Sequence, residues 1–450
     1  MKLRKTTIAV ASLAALTLAA CSSPTPEGNA SAELSGSVEY WMWDPNQAVA
    51  YEACVTGFEA ENPDVDVELV QYGWGDYWTK LTAAMVADDA PDVFVNHLTR
   101  YPELAENGQI IALDEQIEAS GYDLDQFREG LADLWIDSQG DRYGIPKDFD
   151  TTALFYNADL IEQAGYSSDD IASLEWNLDD GGSFEETVAH LTIDENGVRG
   201  DEAGFDANNV SVYGFSWANG TADNGQTSWA AFAGTIDGWS HLDKNPWGDQ
   251  WNYDNPRFQK MFGWYYGLAE KGFAPDLGEF SETPIEQMGA GRVALNIYGS
   301  WNVDSYLALE NLNLGMAPNP IGDSGKRATV FNGLADSIAS TTENPDAAWA
   351  FVGYLGSTAC QDVIAEAAVV FPAISSSSEK AASAFADKGV DASVFLDYFD
   401  DGSNTMSLPI TWNTTEVKGL MQVITDEVWL GRSDASKLTE VNESINALYK

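Results

Sequence analysis

A chain of 450 residues exceeds one ordinary hydrophobic core, so two domains are the default expectation. Its 71 acidic and 22 basic residues give a formal charge of -49, which argues against nucleic acid, anionic membrane surfaces and acidic ligands as partners. Hydrophobic residues at 44% suffice for globular folding, and the 16 Trp, 18 Tyr and 19 Phe point beyond core packing, towards recognition of flat apolar ligand faces.

The N-terminus reads as a targeting signal. Lys2, Arg4 and Lys5 form a basic region, and Ile8 to Leu18 form an apolar core too short for an ordinary spanning helix. Leu18-Ala19-Ala20-Cys21 resembles a bacterial lipobox, which implies lipidation of Cys21 as the first mature residue. Residues 1–20 are then signal peptide, and 21–36, rich in Ser, Pro and Gly, a flexible tether. Cys54 and Cys360 remain in an exported, oxidising setting; a disulfide between them and two buried free thiols are both open.

Ser37 to Trp43 predicts a first strand, ended by Asp44 and Pro45, and Ala48 to Glu61 an amphipathic helix. Val65 to Gln71 predicts a second strand. A loop through Trp74 follows, then a helix from Tyr77 to Ala87 with Trp78 among its core positions. Asp92 to Val95 is a short buried-type strand, followed by a polar loop from Asn96 to Arg100. Strand–helix alternation implies parallel crossovers, and ligands bind beyond the carboxyl ends of such strands. That rule gathers Trp43, Asp44, Trp74, Asn96, His97 and Arg100 around one opening.

In Gly144 to Asn157, Pro146 disfavours helix and Thr151 to Phe155 continues as a β-compatible run, so a strand is expected between the two halves. The acidic excursion from Asp179 to Phe205 contains Asp194-Glu195-Asn196-Gly197, but its Gly falls at the fourth position and not the sixth of an EF-hand loop; calcium there is left open. Trp217 to Trp251 is long, irregular and rich in Trp, and long ordered loops tend to be functional. Asn255 to Lys271 is a helix. Gly289 to Trp301 reads as helix end, tight turn, short apolar strand, then Gly-Ser-Trp at the strand's carboxyl end. Asn313 to Pro320 is a strand leading to a crossing at Asn319 to Lys326. Phe331-Asn332-Gly333 and Ser337-Ile338-Ala339 read as a strand pair carrying a Gly loop, and Asn344 to Leu355 starts a helix with Pro in its first turn.

Several of these blocks resemble, in order, the bacterial extracellular solute-binding proteins of sugar ABC importers, in the cluster that includes maltose-binding proteins. They are Pro146-x-x-x-Asp150-x-x-x-Leu154-Phe155-Tyr156-Asn157, Gly289 to Trp301, the Pro345 to Phe351 helix and Phe371-Pro372-Ala373. The resemblance implies an α/β, periplasmic-binding-protein-like fold: two lobes, a hinge and an interlobe ligand cleft. The expected division is 37–146 with 326–357 as one lobe and 147–322 with 358–450 as the other. It also implies a sugar stacked on Trp301. Contacts from the crossing and the second lobe are then expected at Asp148, Asp150, Asn332, Gly333, Trp217, Trp229 and Trp412.

His97, His190 and His241 lie far apart without metal-ligand spacing, and no Gly-x-Ser-x-Gly elbow, phosphate loop or dinucleotide fingerprint occurs. No cofactor and no catalytic residue is expected. A glycoside hydrolase needs only two carboxylates and is the alternative, with a carbohydrate-binding surface protein behind it. The favoured expectation is a monomeric, lipid-anchored, extracytoplasmic binding protein. It would capture a neutral oligosaccharide by hinge closure and deliver it to a membrane permease.

Overall fold

The computed structural model describes residues 34–218, 220–278 and 283–450; Cys21, the signal segment and most of the tether lie outside them. Among the described residues no helix is long and apolar enough to cross a membrane. The strands in chain order are β1 (Gly36–Met42), β2 (Val65–Gln71), β3 (Val93–His97), β4 (Ile145–Asp150), β5 (Thr152–Asn157), β6 (Ile193–Asp194), β7 (Val210–Ser216), β8 (Val293–Gly299), β9 (Leu314–Ala317), β10 (Ala328–Ile338), β11 (Phe371–Pro372) and β12 (Asn404–Ser407). They form two sheets, ordered β11-β4-β10-β3-β1-β2 with β12 also on β10, and β6-β7-β8-β5-β9.

The first sheet follows from its side-chain alternation. Val38, Tyr40 and Met42 of β1 share a core with Tyr51, Cys54 and Phe58 of helix Pro45–Glu61, while Trp41 joins Tyr77, Leu81 and Met85 of helix Trp74–Val86 on the opposite face. A parallel pair such as β1–β2 needs a crossover, and helix Pro45–Glu61 supplies it. Asp44 starts that helix as its N-cap, with Pro at the first position. The second lobe's core gathers Leu154, Phe184, Phe215 and Leu295 around helix Pro256–Glu270.

Two long strands join the lobes. The chain runs along β4 in the first sheet, turns at Thr151 and continues as β5 in the second. β10 runs back alongside, pairing Asn332 with Asp150 and Leu334 with Asp148 in antiparallel register. A buried polar clamp fixes the crossing. Thr152 donates its N–H to Thr329 Oγ1 at 2.8 Å, and Asn319 Nδ2 reaches the carbonyls of Thr152 and Ala328, each at 3.0 Å.

Three expectations need correction here. The first lobe runs four residues past 146, because β4 pairs with β10 through Asp150. Phe331 to Gly333 is no loop but the middle of the eleven-residue strand β10. Residue 358 does not open a return to the second lobe. Helix Thr358–Ala367 buries Cys360 and Ile364 in the first-lobe core, and β11 pairs with β4. Gln361 explains the preference: its buried amide donates to Pro146 O at 3.1 Å and accepts from Ile374 N at 2.7 Å. Cys54 and Cys360 are joined by a disulfide. The chain rejoins the second-lobe core later, through helix Thr414–Trp429.

The Asp194 loop is a backbone knot. Its carboxylate accepts the N–H groups of Asn196, Val198 and Asp206 at 2.8, 2.9 and 3.0 Å. Among the described residues no cluster of three or more His, Cys, Asp or Glu could hold a metal ion.

Candidate functional site

The first lobe builds an aromatic rim at the carboxyl end of β1. Asp44 accepts the N–H groups of Asn46 and Gln47 at 2.9 and 3.0 Å, so helix capping fixes it there, and burial raises its pKa. Next to it the Trp43 ring lies 5.0 Å from Trp74 and 5.6 Å from Trp78. Trp74 is 48% exposed, an indole held out to solvent by two others. Trp78 packs against the core of its helix, as expected, but only in part. It sits half-buried on this rim, with the Arg100 guanidinium 5.4 Å from its ring centre.

Two residues expected at the opening turn out to brace it. Asn96 is fully buried, donating to Ser337 Oγ at 3.1 Å and accepting from its neighbour's N–H at 2.8 Å. It belongs to the strand end because both its amide atoms are used there. His97 lies 5.8 Å from the Trp74 ring and pairs its Nδ1 with Thr99 Oγ1 at 3.0 Å. Burial lowers its pKa to about 3, the Arg100 and Lys418 charges push the same way, and the ring is neutral.

The floor is made by β4 and β10. Asn332 Nδ2 donates to Asp150 Oδ2 at 3.0 Å. Asn332 Oδ1 and Asp148 Oδ1 are buried with no hydrogen-bond partner among the described residues. Beneath them Lys147 is wholly buried, 3.2 Å from Asp148 Oδ2, 2.7 Å from Gln47 Oε1 and 3.9 Å from the Tyr51 ring centre. Burial pushes the Asp150 and Asp148 carboxyls up, Asp150 further because of the Asp148 charge. At Gly333 an added Cβ would meet Leu131 Cδ1 at 2.4 Å, so glycine lets β10 pack closely on Leu131 within the first lobe.

Asp336 on β10 accepts from Tyr40 Oη at 2.8 Å, and burial pushes its pKa up to about 7 against the Lys147 charge and this hydrogen bond. A carboxyl whose folded pKa is raised supports the fold while protonated. That support is lost as pH rises from the unfolded value near ~4 towards 7. The native protein should therefore lose more unfolding free energy than Asp336→Asn across that window. Parallel curves of urea midpoint against pH for the two proteins would overturn this.

On the second lobe, β8 ends at Gly299 and the Trp301 ring folds back over it. A Cβ on Gly299 would lie 1.7 Å from Trp301 Cζ3, so only glycine allows this half-buried indole its place. Beside it Ser300 Oγ and Asn302 Nδ2 are buried without partners among the described residues. Trp217 and Trp229 belong to the core instead. Trp217 packs on Tyr265, Tyr266 and Trp429 at 4.7, 5.5 and 5.1 Å, and Trp229 on Phe258 at 5.1 Å and Trp239 at 6.1 Å. Both are at most 1% exposed, because the irregular Trp-rich stretch folds over helix Pro256–Glu270 and must bury its own rings.

The lobes touch across the cleft. Arg100 Nη1 donates to Thr415 Oγ1 at 3.0 Å, Thr414 Oγ1 to Thr99 O at 2.6 Å, and Asn46 Nδ2 to Ser305 Oγ at 3.1 Å. Asn46, Ser305, Thr414 and Thr415 were not foreseen, nor were Lys418 and Asp223. Asp223 is 4% exposed, with one carboxylate oxygen unpartnered among the described residues; burial pushes its pKa up while Lys418 and Arg100 oppose. Its only sequence signal was the turn composition Thr221-Ala222-Asp223-Asn224-Gly225, which reads as loop. The described residues hold no cluster of three or more His, Cys, Asp or Glu that could bind a metal ion. The assembled site offers indole faces, carboxylates, amides and hydroxyls from both lobes: hydrogen-bonding and stacking chemistry.

The pattern of the bacterial extracellular solute-binding protein family matches residues 53–391, and the chain belongs to that family. The lactose-binding protein of Rhizobium radiobacter is 30% identical over 157 residues, 32% of this chain and 35% of that one. The chain thus spans about a third of that relative's length. The maltodextrin-binding protein of Bacillus subtilis is 25% identical over 366 residues, 78% of this chain and 76% of that one. Among solved structures, an ABC substrate-binding protein of Listeria monocytogenes in complex with cycloalternan superimposes with a TM-score of 0.76. The sequences are 18% identical, and the match covers 92% of this chain and 99% of that one. The fold is therefore the two-lobed α/β fold of solute-binding proteins, and the family is an extracellular, binding one.

Proposed function

We propose that this protein captures a neutral oligosaccharide between its lobes and delivers it to the permease of an ABC importer, acting as a monomer anchored through lipidated Cys21. One observation carries the reading. Both lobes carry half-exposed indoles beside buried, partnerless polar atoms, Trp43 and Trp74 with Asp148 and Asn332 in the first and Trp301 with Ser300 and Asn302 in the second, and the lobes meet near them through Asn46 and Ser305. A ligand with apolar C–H faces and many hydroxyls satisfies both sets at once. Because it touches both lobes, it favours the closed state by its differential affinity. The relatives named for lactose and maltodextrin binding support a sugar, and the acidity of the chain disfavours an anionic one.

Calorimetry with lactose, maltodextrins and arabino-oligosaccharides, followed by product analysis, tests this. Binding without turnover is the expected result, and release of shorter sugars would establish the hydrolase alternative instead. Trp74→Ala should keep a cooperative melt, since the ring is solvent-facing, and weaken binding about tenfold, roughly 1.4 kcal/mol. Unchanged affinity would remove Trp74 from the site. Mass spectrometry of the exported protein checks the lipid on Cys21.

A further inference from the structure

Trp247 holds a backbone conformation that bulky residues avoid. Its φ is 66°, in the left-handed region, which a non-glycine residue keeps only where its surroundings hold it. The holding is visible. Asn245 Nδ2 donates to Ser407 O and Leu408 O at 3.2 and 2.8 Å, and its Oδ1 accepts from Ile410 N at 2.9 Å. Trp247 N donates to Ile410 O at 2.8 Å, and Thr411 Oγ1 to Gly248 O at 2.6 Å. The turn is thus clipped at five points to the segment leading into helix Thr414–Trp429.

From that fixed turn the indole reaches across to the other lobe. Its Nε1 donates to Ile136 O at 3.1 Å, and its ring stands 6.0 Å from Tyr101, with Trp412 behind it at 5.2 Å. Tyr101 directly follows Arg100, whose guanidinium binds Thr415 across the cleft. The Trp247 contact is thus a second link between the lobes, one residue along the chain from the Arg100–Thr415 bridge. A half-buried indole with its N–H committed to the opposite lobe, braced by a second indole, is a wall. Strain and five clips spent on presenting it exceed what a surface loop needs.

We propose that Trp247, braced by Trp412, closes one end of the cleft and restricts it to short oligosaccharides whose terminal ring abuts the wall. This rests on the oligosaccharide reading above and adds a length limit to it. A longer chain has to lift the indole and break its hydrogen bond to Ile136, a cost of about tenfold in affinity or more. Trp247→Ala opens that end. Trp247→Phe keeps the ring but loses the hydrogen bond.

The test uses maltose to maltoheptaose, arabino-oligosaccharides and manno-oligosaccharides of two to about seven units, titrated into the full chain and both variants. The expected result is binding of the shortest members, at least a tenfold loss for the longest, and recovery of the long ones by Trp247→Ala with little change for the short. Trp247→Phe should fall between. A native protein that binds long and short members alike overturns the length limit and leaves the oligosaccharide reading standing. If nothing in the panel binds, that reading fails, and hydrogen exchange on the sugar-free proteins judges the wall. Faster exchange around Ile136 and Tyr101 in Trp247→Ala supports a seated indole, and unchanged exchange overturns it.

Discussion

Lys147→Met is expected to lower the unfolding free energy by about 3–5 kcal/mol at neutral pH. The native ammonium is fully buried, and burial works against its charge. Tyr51, Asp148 and Asp336 outweigh that, so it stays protonated in the fold. It is the one cation among four acids, Asp44, Asp148, Asp150 and Asp336, that act on one another through its site. Methionine fills similar space but strands the Asp148 carboxylate in a low-dielectric site. The deficit should shrink as pH falls, because protonated carboxyls need no counter-charge. Urea denaturation of the two proteins at neutral and mildly acidic pH checks both statements. A loss below about 1 kcal/mol would mean that water reaches this network.

Removing the disulfide by Cys54→Ala with Cys360→Ala should cost about 2–5 kcal/mol. The link closes a loop of 306 residues, so it removes much freedom from the unfolded chain. It also ties helix Thr358–Ala367 to helix Pro45–Glu61 within one lobe, away from the cleft, so sugar affinity should change little. Guanidinium denaturation of the oxidised protein and the double variant reads the difference. Coincident transitions would show that packing of the two helices does the work alone.

The two-lobed α/β class was legible from the alternation of strand and helix and from a few ordered motifs, because both come from local pattern. Trp43 and Asp44 could be placed at a strand end because Asp-Pro both stops a strand and caps a helix. Where long-range packing decides, sequence reasoning failed. Asn332-Gly333 looks like a loop, yet both residues lie inside β10, where Gly333 packs closely on Leu131. Trp217 and Trp229 looked available in an unpatterned stretch, but that stretch lacks pattern because it covers a helix with its own aromatic core. Asn96 looked like a loop-end contact and is a strand-end brace. Trp247 was passed over in the same stretch, since nothing local marks which of its tryptophans is carried by a left-handed turn.

The crossing made by β4, β5 and β10 sets the kind of motion that this molecule can make. Loose linkers would let the lobes drift apart and slide. Two antiparallel strands clamped by Thr152, Thr329 and Asn319 resist both stretching and shear, since each would break buried hydrogen bonds. Twisting the pair along its length spreads small φ and ψ changes over many residues and breaks none of them. The crossing is then a torsion bar, with a rest angle set by strand twist and a stiffness set by the clamp.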